Sequence, residues 1–227
     1  MNTFRDICFD EALFLKSMFK TGDRDALRLY TYWQTSHAIS YIYNEYARIF
    51  GLCKLLGTAH IYDIGCGGNY QACLLFHEHI NYTGIAAYEH FDYDAMNRAF
   101  SDYCGKRIRF INEHYPCRLS PDPNNAAVIR GWKYVKGGEK HLKKLTEAIS
   151  RDFDRVITNC GIMGVEWDEN YQFWKQALPE YHVMKLGYEN LIFATKVSDD
   201  LAAMEKYGYE YGNYHFSVRM PLPGDQE

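Results

Sequence analysis

A glycine-rich turn after a short apolar run is the part of this chain best suited to bind a ligand. The run His60-Ile61-Tyr62-Asp63-Ile64 leads directly into Gly65-Cys66-Gly67-Gly68-Asn69. Glycines let a ligand approach the main chain closely, and a helix that follows them presents N–H groups and the positive end of its dipole. In an open α/β sheet, nucleotide-like ligands bind at the turn after the first strand. The spacing therefore predicts a site for a ligand of that class.

A dinucleotide is disfavoured as that ligand by the residue at position 70. The dinucleotide fingerprint G-x-G-x-x-G, aligned on Gly65 and Gly67, requires glycine or alanine where this chain has Tyr70. A bulky ring there argues against the fit of a pyrophosphate. A nucleotide-dependent oxidoreductase is therefore the least favoured interpretation.

The same segment resembles the first motif of the class I S-adenosylmethionine-dependent methyltransferase family. In that family an acid followed by x-G-x-G-x-G ends the first strand, and Asp63-Ile64-Gly65-Cys66-Gly67 follows this pattern, with Asn69 at the third glycine. The segment Phe153–Cys160 is similar to the family's fourth strand, which often reads F-D-x-V-I-x-N. The resemblance implies a Rossmann-like methyltransferase fold and S-adenosylmethionine as the cofactor.

The resemblance also implies which residues bind the cofactor. The family carries an acid at the end of the second strand for the ribose hydroxyls, but this chain has Ala86 there, and Glu89 is the next acid. Asn112 follows the third strand, where a polar residue near the adenine is common, and Asn159 ends the strand expected beside the methyl group. The residues expected to bind the cofactor are Asp63, Gly65, Cys66, Gly67, Glu89, Asn112, Glu113, Asn159 and Cys160.

The methyl acceptor is less well indicated. The segment Asn159-Cys160-Gly161-Ile162 lacks the prolines and the aromatic of the N-P-P-Y motif, so a nucleic-acid adenine methylase is not indicated. A basic and aromatic stretch at 128–144 leaves nucleic acid open as a partner, although a solvated helix face explains it better in an acidic chain. A small molecule is the favoured substrate. Weak candidates for its pocket are Tyr30, Trp33 and Trp132.

Composition limits the function classes. The 227 residues carry 25 Lys and Arg against 29 Asp and Glu, a formal charge of −4 that argues against a protein that coats nucleic acid. No apolar run is long enough to span a membrane, and the first residues lack the apolar core of a secretory signal. The 7 cysteines contain no pair two to four residues apart, which argues against a zinc ribbon and a disulfide framework. A cytoplasmic protein without a metal site is expected.

Alternating strand and helix patterns predict the elements that position the glycine turn. Short apolar runs predict strands at 60–64, 82–86, 107–112, 153–159 and 191–197, and amphipathic runs predict helices at 71–79, 93–103, 139–150 and 199–207. Strand material is also expected at 209–220, whereas the pattern does not decide residues 182–186. Such alternation indicates an α/β fold with a doubly wound, mainly parallel sheet.

The predicted domain organisation places the glycine turn in one large domain. Residues 1–57 read as an N-terminal helical extension or cap, and residues 58–227 as the Rossmann-like domain, with an insert at about 115–138 that is rich in proline, asparagine and glycine. The leading hypothesis is a methyltransferase acting on a small molecule or an unidentified acceptor. The alternative is a catalytically inactive methyltransferase-like binding or scaffold module, because Ala86 replaces the expected acid.

Overall fold

The computed structural model describes residues 46, 49–67, 80–87, 92–129, 138–159, 167–186 and 191–206. The helices expected early in the chain, the helix at 71–79 and the strand material at 209–220 lie outside these ranges. The described helices are α1 (residues 49–55), α2 (Tyr93–Cys104), α3 (Gly138–Asp152), α4 (Trp167–Ala177) and α5 (Ser198–Lys206). The described strands are β1 (His60–Ile64), β2 (Asn81–Ile85), β3 (Ile108–Ile111), β4 (Asn125–Ile129), β5 (Arg155–Asn159), β6 (His182–Leu186) and β7 (Leu191–Thr195).

The strands form one sheet of seven in the order β3-β2-β1-β4-β5-β7-β6. Strands β1 to β5 run parallel, and β7 runs antiparallel to both β5 and β6. The expectation of a doubly wound, mainly parallel sheet is confirmed. The central strands are buried along their whole length, because helices cover both faces of a parallel sheet.

Each face of the sheet has its own apolar core. On one face, residues of α1, α2 and α5 pack against side chains such as Ile61 and Val128. On the other face, α3 and α4 cover a second cluster that contains Tyr62, Ala127 and the fully buried Trp174. Because α1 packs into the first of these cores, residues 49–55 share a core with the sheet. No helix in the described part of the chain combines the length and apolar character needed to cross a membrane.

The stretch at 115–138 is not simply an insert, because its middle forms β4. Asn125–Ile129 is buried at every position and pairs with β1 on one side and β5 on the other. Its sequence, NAAVI, begins with asparagine and contains two alanines, so it lacks the β-branched and aromatic run that indicates a strand. The small alanines suit a central strand with helices close on both sides.

The position of β4 corrects the count of the strands that follow. The segment Phe153–Asn159, expected to be the fourth strand, contains β5, which starts at Arg155. The likeness of this segment to the family's fourth strand therefore concerns composition and not position. Residues 182–186, which the sequence left undecided, form edge strand β6, and α4 is a helix that the sequence did not predict.

A buried ion pair joins the amino end of β5 to helix α5. The Nε and Nη2 atoms of Arg155 lie 2.7 and 2.8 Å from the two carboxylate oxygens of Asp200, and the side chains are 5% and 3% exposed. Thr195 donates to the same carboxylate at 2.5 Å, and Arg155 also contacts the side-chain oxygen of Asn124. These bonds join β5, β7, α5 and the turn before β4, far from the glycine turn.

Candidate cofactor site

The site lies at the carboxyl edge of the sheet, the edge at which β1 to β5 all end. Strand β1 pairs with β2 on one side and β4 on the other, and the register aligns Ile64 with both Ile85 and Ile129. From β1 the chain builds β2 and β3 to one side, and afterwards β4 and β5 to the other. This reversal of strand order opens a crevice above β1, which is where ligands bind in open α/β sheets.

The glycine turn enters this crevice with a backbone that only glycine adopts without strain. Gly65 and Gly67 have φ angles of +78° and +61°, in the left-handed region. The N–H of Gly65 donates to the carbonyl of Ile85 at 2.8 Å, so it continues the β1–β2 ladder. Among the described residues, no atom lies within 4 Å of where a Cβ atom would stand at either glycine. The main chain of the turn is therefore open to close approach.

The acid of the motif lies buried at the end of β1. The Asp63 carboxylate is 0% exposed and accepts hydrogen bonds from the hydroxyls of Tyr82, at 2.6 Å, and Tyr46, at 3.1 Å. Burial, and then the nearby Asp63 charge, raise the pKa of Tyr82 well above its ordinary value, so its hydroxyl stays a donor. Asp63 thus joins β1 to β2 and to the segment before α1.

A third tyrosine contacts the glycine turn from the side. The hydroxyl of Tyr93, the first residue of α2, donates to the carbonyl of Gly67 at 3.1 Å. Its ring stacks on Phe110 of β3, with centroids 6.1 Å apart. Tyr93 therefore links the position of the turn to the start of α2 and to the edge strand.

The ends of β2 and β3 carry the residues expected near the ribose and the adenine. Ala86 follows β2, so the residue at the end of that strand is not an acid. The N–H of Ala86 donates to the carbonyl of Ile111 at 3.1 Å. Asn112 and Glu113 follow β3 and are exposed. Since the register aligns Ile85 with Ile111, these residues lie on the same edge as the glycine turn.

Asn159 lies in the structure on a different strand from the one that the sequence indicated. It was expected at the end of the fourth strand, but it is the last residue of β5, and the strand beside β1 ends instead at Ile129. Thr158 fixes this part of the edge, since its hydroxyl donates to the carbonyl of Ile129 at 2.7 Å. Asn159 is thus one strand farther from the glycine turn than the sequence indicated.

The described site brings together some of the expected residues and not others. Asp63, Gly65, Cys66, Gly67, Asn112, Glu113 and Asn159 all lie at the carboxyl edge. Cys66 is buried, with only 6% of its surface exposed. The other expected residues, Glu89, Cys160, Tyr30, Trp33 and Trp132, lie outside the described ranges.

Sequence reasoning missed Tyr46, Tyr82 and Tyr93 as parts of the site. The 20 tyrosines of the chain were a signal that many hydroxyls need partners, but composition does not say which acceptor each one reaches. The register shows it: Asp63 lies beside Gly84, and Tyr82 is two residues back on the same face of β2. No group of three or more His, Cys, Asp or Glu side chains suited to a metal ion occurs among the described residues.

Three solved structures that resemble this fold are named as methyltransferases. The apo form of SibL, an S-adenosylmethionine-dependent methyltransferase, matches with a TM-score of 0.52 and 10% identity, over 73% of this chain and 57% of SibL. A S-adenosylmethionine-dependent methyltransferase from Aquifex aeolicus matches with a TM-score of 0.51 and 12% identity, over 67% of this chain and 90% of that one. Magnesium protoporphyrin IX methyltransferase from Synechocystis PCC 6803, with bound S-adenosylmethionine, matches with a TM-score of 0.50 and 9% identity, over 78% and 100%.

The comparisons of sequence add no closer relative. No protein-family model matches the chain, and no curated protein matches it significantly. The chain also spans just over half the length of SibL. At identities of 9 to 12% the structural likeness concerns the fold. This chain has the Rossmann-like fold of the class I S-adenosylmethionine-dependent methyltransferases.

Proposed function

We propose that the chain is a methyltransferase that binds S-adenosylmethionine and acts on a small-molecule acceptor. The observation that carries the proposal is the pair of left-handed glycines, Gly65 and Gly67, at the carboxyl end of β1, where the strand order reverses. Three structural neighbours with this fold are methyltransferases by name, and one of them holds S-adenosylmethionine.

The residues present fit such a cofactor. It needs main-chain contact at the end of β1, and no atom of the described residues stands within 4 Å of the Cβ position of either glycine. Asp63 supports the turn from below through Tyr46 and Tyr82, so we assign it a positioning role.

The spacing of the strand ends also suits an extended cofactor. Asn112, after β3, and Asn159, at the end of β5, are four strands apart, or about 19 Å at the usual strand spacing. We assign the adenine end to Asn112 and Glu113, the ribose to Glu89, and the neighbourhood of the methyl group to Asn159 and Cys160. The glycine turn, with Cys66 in the middle, lies between these ends.

Methyl transfer requires the protein to orient the acceptor and to remove a proton from it. S-adenosylmethionine supplies, when bound, a methyl group already activated on a sulfonium. The protein has to hold the acceptor atom in line behind that methyl group, about 3 Å away, and to accept a proton where the acceptor carries one. The walls of the acceptor pocket are assigned to Tyr30, Trp33 and Trp132, as the sequence suggested.

Binding of the cofactor is tested first, with a matched pair of glycine variants. Gly57 has a φ angle of +63° and open space around its Cβ position, as Gly67 does, but it lies at the end of α1. Alanine at either position costs about 1–2 kcal/mol of backbone strain. In titration calorimetry, we expect Gly67→Ala to raise the Kd for S-adenosylmethionine at least tenfold and Gly57→Ala to change it less than twofold.

Three outcomes would count against cofactor binding at this turn. These are no binding to the folded protein at millimolar S-adenosylmethionine, equal effects of the two glycine variants, or tighter binding of NAD. Transfer of a labelled methyl group to small molecules of a cell extract then tests catalysis.

Ala86 favours the second candidate function, a binding module without catalysis. A ribose without its acidic partner would lose a charge-assisted hydrogen bond worth about 1.5–3 kcal/mol. If Glu89 supplies that partner, Glu89→Gln weakens cofactor binding about tenfold, while Asp94→Asn, an exposed acid in the first turn of α2, leaves it unchanged. If Glu89→Gln has no effect and Ala86→Asp tightens binding, the chain lacks the ribose acid, which supports the module.

The cellular setting is part of the proposal. Scattered cysteines in a chain without a disulfide framework suit a reducing compartment, so we place the protein in the cytoplasm. Fractionation of cells that express the protein, compared with a secreted marker, checks this location.

A further inference from the structure

We propose that the chain has a second binding site, for a small molecule that carries phosphate groups, on the face of the sheet over β2 and β3. A cavity of about 890 Å³ lies there, a size within the range of small-molecule sites. It is lined by residues from the starts of three strands, His60, Asn81 and Ile108, and by the chain that connects β3 to β4. It also extends around strand β3 to Asn97 and Ser101 of α2 and to residues 105–107 of the turn after α2. This site is independent of the proposed function.

The cavity exists because no helix covers this part of the sheet among the described residues. On the same face, α3 and α4 cover β1, β4 and β5 with an apolar core. The connection from β3 to β4, residues 112–124, crosses that face without a helix. Accordingly, the side chains of β2 and β3 that point to it include the polar Thr83 and Arg109.

The lining has a surplus of positive charge, although the chain as a whole has a formal charge of −4. Four cationic side chains line the cavity, namely Lys106, Arg107, Arg109 and Arg118, against the single carboxylate of Asp122. Asp122 contacts Nδ1 of the buried His60, and its side chain is 57% exposed. Such a concentration of cations in a concave site attracts anions.

One cation is fixed in place by a chain of hydrogen bonds. Nε of Arg109 donates to the hydroxyl of Thr83 at 3.0 Å, and the same hydroxyl lies 2.8 Å from Nε2 of His60. The bond to Thr83 uses one of the five guanidinium donors of Arg109. A fixed guanidinium loses less entropy on binding, and its planar fork matches the oxygens of a phosphate.

The remaining lining favours a small phosphorylated molecule over a nucleic-acid backbone. Asn81, Ser101 and Ser120 offer uncharged hydrogen-bonding groups of the kind that bind hydroxyls on the organic part of a ligand. The cations gather in one cavity and do not form a long track, whereas nucleic acid requires many separate phosphate contacts. His60 and the basic lining residues Lys106 and Arg107 lie toward the amino ends of the strands, about 13 Å along β1 from Ile64, whereas Ile111 extends the lining to the carboxyl edge.

The test uses the full chain and inorganic pyrophosphate as the probe, in titration calorimetry at moderate salt. Lys106 and Arg118 are exposed, so the double variant Lys106→Gln with Arg118→Gln removes two charges without disturbing the core. The matched control is Lys143→Gln with Lys144→Gln, which removes the same charge from the exposed face of α3. We expect the cavity variant to raise the Kd for pyrophosphate at least tenfold and the control to change it less than twofold.

Each other outcome overturns the proposal. If pyrophosphate does not bind at millimolar concentration, or if both double variants lose affinity equally, there is no built anion site. If a short single-stranded RNA binds far more tightly than pyrophosphate and depends on the same two residues, the cavity is a nucleic-acid contact instead. S-adenosylmethionine binding, measured on the same variants, is expected to stay unchanged, so failure here is separate from failure of the cofactor site.

Discussion

The hydroxyl of Tyr82 lies 2.6 Å from Oδ2 of Asp63, and neither side chain is exposed to solvent. A buried carboxylate is costly unless it accepts hydrogen bonds, so the phenol is part of what allows an acid to stand beneath the glycine turn. The rings of Phe50 and Phe110 pack against Tyr82 at centroid distances of 6.4 and 6.1 Å, which fixes the phenol in that position.

Tyr82→Phe therefore tests the support beneath the turn. The change keeps the ring and removes a donor from a buried charge, so we expect the free energy of unfolding to fall by about 1–3 kcal/mol in urea denaturation. We also expect weaker S-adenosylmethionine binding. Tyr171→Phe is the control, because its half-buried hydroxyl reaches a carbonyl at 3.4 Å, and it is expected to change neither quantity appreciably. Equal stability of the two variants would show that the Tyr82 hydroxyl is dispensable.

Tyr93→Phe removes the hydroxyl that donates to the carbonyl of Gly67. We expect a loss of about 0.5–1.5 kcal/mol in stability, as for one ordinary hydrogen bond. We also expect a several-fold rise in the Kd for S-adenosylmethionine, because the turn loses a fixed contact. Calorimetry on wild type, Tyr93→Phe and Tyr171→Phe measures the effect. An unchanged Kd for Tyr93→Phe would mean that the turn is positioned without it.

Asp200→Asn breaks the buried ion pair with Arg155. An uncompensated guanidinium would remain in a nearly inaccessible position, so we expect a loss of about 3–5 kcal/mol in the free energy of unfolding. Glu147→Gln is the control, because its pair with Lys143, at 3.9 Å, is mostly exposed and is worth less than about 0.5 kcal/mol. If both variants unfold at the same urea concentration, the buried pair contributes little.

The lowered pKa of His60 leads us to expect that the free energy of unfolding depends on pH. Burial lowers the pKa of His60 below its ordinary value, and the contact with Asp122 opposes that shift only in part. Below about pH 6.5 the unfolded chain therefore binds a proton that the folded chain takes up less readily, so stability falls as the pH drops. Urea denaturation at pH 7.5 and 5.5 measures this loss.

The variant His60→Gln is expected to lose less stability between those two pH values than wild type. His182→Gln, which removes an exposed histidine at the start of β6, is expected to behave as wild type. A loss of the same size in His60→Gln and in wild type would assign the pH dependence to other groups.

The sequence predicts the glycine turn and its strand because their signals are local. A short apolar run followed by Gly65 and Gly67 is enough to indicate a strand that ends in a turn. The structure has both the strand and the turn at these positions. Helix α2 likewise follows from its amphipathic pattern, and its observed start at Tyr93 agrees with the prediction.

The features that the sequence does not predict depend on partners distant in the chain. Asn125–Ile129 becomes a strand because β1 and β5 pair with it on both sides, not because its own residues favour a strand. The hydrogen bond between Tyr82 and Asp63 depends on the register of β1 and β2. The antiparallel direction of β7 depends on its pairing with β5 on one side and β6 on the other. None of these relationships appears in a short window of sequence.

The order of the last two strands has a consequence for synthesis of the chain. Strand β6 leaves the ribosome before β7, yet among the described strands it pairs with β7 alone. Until Leu191–Thr195 emerges, β5 presents an unpaired, apolar edge and β6 has no neighbour to join. A nascent chain paused between these strands would offer an open template for pairing with other molecules, and the synthesis of β7 supplies a partner to both β5 and β6.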